Sequence, residues 1–226
     1  MKPYYQDDKN GIVIYNGDCR EILPHLEPVD LVLTDPPYGL GEKLHTGGTW
    51  STHPKYDAML VWDKKIDQSF ARSLCFLAPK VIMWGGNYYE LPPSRCWLSW
   101  VKNNNVPTMA DFELAWTNYD RPSKACRGRI HPDGINQHPT QKPLYLMKFC
   151  IDFDRESQTI LDPFMGSGTT LVAAKQLGRK AIGIEICEAY CQIAVQRLQQ
   201  EVLCLEPAKK ENKDTGNITE QQESLI

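Results

Sequence analysis

Short apolar runs alternate with segments whose apolar residues recur every three or four positions, and this alternation continues along most of the chain. Residues 11–16 (GIVIYN), 29–33 (VDLVL), 80–84 (KVIMW), 96–102 (CWLSWVK), 112–117 (FELAWT), 159–161 and 180–186 (KAIGIEI) are apolar and β-branched enough to be strands. Between them, residues 19–26, 66–77, 144–153, 169–177 and 188–202 carry helical spacing, and Gly178 stops the helix before it. The strands 96–102 and 112–117 read as an antiparallel pair. Elsewhere the strand-helix alternation predicts an α/β sandwich built on a mostly parallel sheet. Three stretches break the pattern. Residues 1–10 are polar and expected to fray, residues 40–63 dissolve into Gly, Thr, His, Lys and Trp, and residues 120–131 read as a short polar loop. A loop as long as 40–63 inside a compact domain reads as a lid or substrate-contacting segment. From about residue 206 the chain is too polar to order itself, so a single domain is expected over residues 1–205.

Composition narrows this picture without redrawing it. A length of 226 residues, with 42% hydrophobic and 23% charged positions, suits one globular domain. The net charge of −3 argues against indiscriminate coating of nucleic acid but permits a local basic patch. Arg121, Lys124, Arg127 and Arg129 crowd into the polar stretch 120–131 and are the candidates for phosphate contact, joined by Lys43 in the 40–63 loop. Eight cysteines without a C-x-x-C pair suggest neither a disulfide framework nor a zinc site, so no metal is expected and the cytoplasm is the expected location. No apolar run approaches the roughly 18 to 20 residues that span a bilayer.

Two stretches carry chemistry. TDPPYG, residues 34–39, follows a strand buried on both faces, which pushes Asp35 into the crevice where open α/β sheets bind ligands. Pro36 and Pro37 stiffen the turn and remove N–H donors, leaving carbonyl acceptors. A carboxylate, the Pro36 carbonyl and the Tyr38 ring together suit a flat ligand with an exocyclic NH₂, which needs two acceptors and a π surface. The second stretch is DPFMGSGTT, residues 162–170, where Gly166 and Gly168 lie between a strand and a helix start. Backbone can approach a ligand closely there, and free amides favour an anionic group. Glu185 ends the next strand about twenty residues on, placed to accept from ribose hydroxyls. A dinucleotide fingerprint would want a small residue where Leu171 stands, so an amino-acid carboxylate with a ribose, as in S-adenosylmethionine, fits better than NAD.

Taken together and in this order, the two stretches resemble the DNA amino-methyltransferases that act on adenine N6 or cytosine N4, in the permuted β class where DPPY precedes FxGxG. HPTQKP at residues 138–143, Gly17-Asp18 and the GGN at 85–87 extend the resemblance over roughly residues 11–200. It implies a seven-stranded methyltransferase sheet, S-adenosylmethionine as cofactor and double-stranded DNA as partner. Asp35, Pro36, Pro37 and Tyr38 would be catalytic. Asp18, Cys19, Asp35, Thr140, Lys142, Asp162, Phe164, Gly166, Ser167, Gly168, Thr169 and Glu185 would hold the cofactor. The large target-recognition insert of the family is reduced here to the segments 40–63 and 103–136, which are expected to contact DNA. Asp rather than Ser at the first motif position points to adenine, with cytosine N4 as the alternative. A nicotinamide-dependent oxidoreductase and a noncatalytic nucleic-acid-binding module are the readings outside the class, and both leave TDPPYG unexplained. The resemblance leaves a homodimer open.

Overall fold

The computed structural model describes residues 1–39, 64–103, 110–129 and 141–200. Their strands are β1 (Tyr5–Asp7), β2 (Ile12–Asn16), β3 (Leu31–Thr34), β4 (Lys80–Trp84), β5 (Trp97–Lys102), β6 (Phe112–Thr117), β7 (Lys124–Gly128), β8 (Thr159–Asp162) and β9 (Lys180–Glu185). All nine join one sheet in the order β1-β2-β9-β8-β3-β4-β6-β5-β7. From β2 to β4 every neighbouring pair is parallel, whereas β6 runs antiparallel to both β4 and β5. The helices are α1 (Cys19–Ile22), α2 (Gln68–Leu74), α3 (Leu144–Phe153), α4 (Thr169–Gln176) and α5 (Glu188–Gln199).

The mostly parallel α/β fold is the expected one, and the sheet is wider than the expected seven strands by one strand at each edge. β1 pairs antiparallel with β2, so part of the N-terminal stretch expected to fray is held in the sheet. β7 lies parallel to β5 inside the stretch expected to be a polar loop. The predicted helix over 66–77 is shorter, starting where the Asp67 side chain accepts the Phe70 amide at 2.8 Å. The segments 40–63, 104–109, 130–140 and 201–226, which include most of the expected inserts and the tail, lie outside the described residues.

β3 is buried on both faces because α/β crossovers cover both. Leu31 and Leu33 pack into a cluster with Leu146 and Ile151 of α3, Leu171 of α4 and Leu198 of α5. Val32 points the other way, into a cluster with Ile22 of α1 and Ala71 and Leu74 of α2. Burying each such side chain contributes roughly 1.5–3 kcal/mol. Asp30, the one charge in the apolar run before β3, holds the start of β8: its Oδ2 accepts from the Gln158 and Thr159 amides at 2.9 and 2.8 Å and from the Thr159 hydroxyl at 2.7 Å. Those bonds lower its carboxyl below the usual range. Among the described residues no helix is long and apolar enough to cross a membrane.

The chain leaves β3 toward β4 on one side and β8 toward β9 on the other, so the strand order reverses between β3 and β8. At such a reversal the two crossovers diverge and open a crevice at the carboxyl ends of the strands. Asp18, Glu185, Asp162, Asp35 and Gly85 all follow or end the adjacent strands β2, β9, β8, β3 and β4 at that end.

Candidate active site

β3 delivers Asp35 to the crevice, and β8 delivers Asp162 beside it. The two strand ends are joined by the Thr34 hydroxyl, which donates to Asp162 Oδ1 at 2.9 Å. Asp162 also accepts from the Thr170 hydroxyl at 2.7 Å and the Phe164 amide at 3.1 Å. Burial nevertheless pushes its carboxyl up to about 6, with the nearby Asp35 charge adding to the shift.

Asp35 has a different set of partners. Tyr38 turns back over the proline turn and donates its hydroxyl to Asp35 Oδ1. Lys142, 8% exposed, donates to Oδ2 at 2.5 Å. Burial raises the Asp35 carboxyl, and the Lys142 ammonium works against that rise. The Tyr38 ring stacks on Tyr88 with centroids 4.8 Å apart. It lies so close to Gly85, at φ +65°, that a Cβ there would collide with the ring. Glycine in the GGN turn is therefore what admits the tyrosine. The Tyr89 hydroxyl donates to the Pro37 carbonyl at 2.6 Å and pins the turn. Among the described residues nothing donates to the Pro36 carbonyl.

Sequence reasoning missed Glu113 and Lys102, which extend this cluster. Lys142 also meets Glu113 Oε2 at 3.2 Å, and Glu113 Oε1 meets Lys102 at 2.5 Å. In β6 Glu113 shares a face with Ala115 and Thr117, both fully buried, so its carboxylate takes its partners inside the fold; the sequence offered only the alternation of Glu113 with Ala115 and Thr117, which does not name those partners.

On the β8 and β9 side, Gly166 and Gly168 take left-handed backbone at φ +51° and +78°. Gly168 caps α4, and a Cβ on it would press on Ala194 of α5 at 2.7 Å. Glu185 braces the turn from below: Oε2 accepts the Gly166 amide at 3.0 Å and Oε1 the Cys187 amide at 2.8 Å. Burial raises this carboxyl, against the pull of those amides. Ile186, 66% exposed, offers an apolar surface next to it. Ser167 donates to Gln141 Oε1 at 3.1 Å, and Arg197 donates to the Ser167 carbonyl at 2.6 Å and to Thr169 Oγ1 at 3.1 Å. The Gly17 amide donates to the Glu185 carbonyl at 3.0 Å, so Asp18 and the buried Cys19 sit against the same strand end. Phe164 meets Phe70 edge-on across the α2 side.

The other basic candidates separate. Arg121 stacks over Phe153 at 3.7 Å and Tyr119 at 4.4 Å and donates to the Phe153 carbonyl, so its guanidinium is spent on holding α3 rather than offered to solvent. Lys124, Arg127 and Arg129 are exposed on or just beyond the edge strand β7. Lys43 and Thr140 lie outside the described residues. Among the described residues no group of three or more His, Cys, Asp or Glu is placed to hold a metal ion.

A carboxylate at the strand reversal and a glycine turn braced by a second carboxylate on the neighbouring strands can serve a transferase with a nucleoside cofactor, and known transferases are similar to this chain. Residues 86–196 match a family model described as DNA methylase. The chain is 30% identical to the type II methyltransferase M2.DpnII of Streptococcus pneumoniae, over 88% of this chain and 93% of that one. Among solved structures, the M1.HpyAVI–SAM complex matches with a TM-score of 0.51 at 26% identity, covering 83% of this chain and 99% of the other. The cytosine-N4-specific PvuII DNA methyltransferase matches with a TM-score of 0.57 at 19% identity, covering 87% and 89%, and shows the shared fold. The chain belongs to the DNA methylase family, the amino-methyltransferases of adenine N6 and cytosine N4. The M1.HpyAVI structure is a complex with SAM, and the site here fits a ligand of that kind: the positive-φ glycines leave backbone open to it, and the Glu185 carboxylate, which accepts the Gly166 and Cys187 amides, keeps acceptor capacity for a hydroxyl.

Proposed function

We propose that this protein methylates the exocyclic N6 of adenine in double-stranded DNA, with the target base rotated out of the helix. The observation that carries the reading is the Asp35 carboxylate, held at the strand reversal beside the glycine turn, with the Pro36 carbonyl next to it and engaged by none of the described residues. S-adenosylmethionine supplies a methyl group on a positively charged sulfur. The rest falls to the chain. An aryl amine is a poor nucleophile because its lone pair is delocalised into the ring. When Asp35 and the Pro36 carbonyl each accept one N–H, the nitrogen is drawn toward tetrahedral geometry, and positive charge growing on it meets a fixed negative partner. With the methyl group passed to it, the nitrogen would lose a proton to solvent, Asp35 and the Pro36 carbonyl holding the amine in place throughout.

In the structure the Tyr38 hydroxyl sits on Asp35 Oδ1. The incoming amine takes that place, and the displaced ring, with Tyr88 behind it, becomes the platform for the base. Such a pose is impossible inside a stacked duplex. Asp18, Cys19, Phe164 and Glu185 would surround the adenosyl end of the cofactor, and Asp162, Ser167, Gly168 and Thr169, with Thr140 and Lys142, the methionine end. Aspartate at the first motif position favours adenine over cytosine. Digestion of methylated DNA to nucleosides tests this: N6-methyl-2′-deoxyadenosine is expected, and N4-methyl-2′-deoxycytidine would move the enzyme to the other branch.

Arg127 and Arg129, on or beside the exposed edge β7, are the proposed phosphate contacts, with Lys124. Replacing Arg127 and Arg129 by Gln should reduce the slope of log K against log salt by about 2, since each phosphate neutralised by the protein contributes roughly 0.9 to it. A slope that stays as in the unaltered protein places the phosphates elsewhere.

A further inference from the structure

Four charged side chains run in alternating sign from the crevice across the sheet: Asp35, Lys142, Glu113 and Lys102, with successive separations of 2.5, 3.2 and 2.5 Å. They come from the turn after β3, the turn before α3, and strands β6 and β5. Lys142 is the hub, 8% exposed and bonded to both carboxylates. That geometry poses a problem for the proposed chemistry. An ammonium fixed on Asp35 weakens the carboxylate as an acceptor and repels positive charge developing on a nearby nitrogen.

We propose that Glu113 is a positioning residue of the methyl-transfer site: by sharing the Lys142 ammonium with Asp35, it lets that ammonium draw away as the target amino group arrives on the carboxylate. The inference rests on the reading of Asp35 given above. Glu113 itself does not touch the substrate; it acts through Lys142. Lys102 keeps it charged for this role. Although burial works to raise the Glu113 carboxyl, the Lys142 and Lys102 ammoniums outweigh it and hold it below the usual range. Burial likewise works to lower Lys142, and the two carboxylates outweigh it and raise it, so the hub stays protonated throughout. Among the described residues the titratable groups acting on Asp35 are Lys142, Tyr38 and Glu113, and its charge is felt in turn by Asp162.

The test is Glu113→Gln. Methyl transfer requires ionised Asp35, so the rate falls on the acid side as pH drops through its pKa. The Glu113 charge raises that pKa and the Lys142 ammonium lowers it. Removing the first and leaving the second unshared must move the acid limb of kcat to lower pH. On the plateau kcat should drop on the order of tenfold, because the ammonium now stays on Asp35, while the affinity for S-adenosylmethionine stays within severalfold. Glu113→Asp should restore both limb and plateau in part. A merely structural role would change the melting temperature and leave the acid limb where it was, and that result overturns the proposal. As a readout independent of turnover, the carboxyl carbon of Asp35 can be titrated by NMR in ¹³C-labelled protein. Its midpoint should fall in Glu113→Gln, and an unmoved midpoint also overturns the proposal. If the unaltered protein transfers no methyl group to DNA, the functional reading fails, whereas the NMR titration still reports on the coupling of the two carboxylates.

Discussion

Asp35→Ala should lose methyl transfer by on the order of a hundred- to a thousandfold in kcat while binding S-adenosylmethionine within severalfold of the unaltered protein. The expectation follows from where the carboxylate acts. On the proposed reading it meets charge that exists mainly in the transition state, so its removal would fall on turnover rather than on cofactor affinity, and loss of one such preorganised partner typically slows catalysis by about 10²–10³. The substitution also strips Tyr38 of its acceptor and leaves Lys142 with Glu113 alone. A stability loss of about 1–3 kcal/mol is therefore expected, and a melting curve must accompany the kinetics to show that the variant is folded at the assay temperature. Single-turnover rates and calorimetry with the cofactor separate the two effects. Near-normal turnover would mean that another group holds the amine.

Glu185→Ala should do the reverse. Here the carboxylate braces the glycine turn through the Gly166 and Cys187 amides, and on the proposed reading it also accepts from the ribose hydroxyls. Hydrogen bonds to a charged group contribute about 1.5–3 kcal/mol, so the cofactor Kd should rise on the order of a hundredfold. At saturating cofactor kcat should change only severalfold. Glu185→Gln, which keeps one acceptor oxygen, should fall between. Calorimetric titration with S-adenosylmethionine decides it: a Kd within about threefold of the original would place the ribose elsewhere.

What could be read from residues alone, and what could not, divides along physical lines. The central parallel strands were legible because two-sided burial forces continuous apolar sequence, as in Leu31–Thr34 and Lys80–Trp84. Their polar ends were legible for the same reason, since a charge closing such a run has only the crevice to enter. The edges were not. β7 has one neighbour and reads KACRG, with Lys124 and Arg127 in water, so neither periodicity nor apolarity marks it. β1 is three residues long and is identified only by its pairing with β2. The charged chain behind Asp35 was hidden for another reason. Its members are 107 residues apart at the Asp35–Lys142 bond, and only the folded sheet shows that the lysine serves two carboxylates. Arg121 reads as a solvent-facing cation because its neighbours in sequence are polar, whereas those in space are Phe153 and Tyr119.

The grip of Asp30 on the start of β8 bears on how the enzyme comes into being. The two partners are separated by 128 residues, and the middle of the sheet cannot close until both exist. During synthesis the first strands must wait, unpaired along one side, for a segment that leaves the ribosome many seconds later. Contacts so distant along the chain slow folding, and a chain truncated before residue 158 would own Asp35 but have nowhere to mount it.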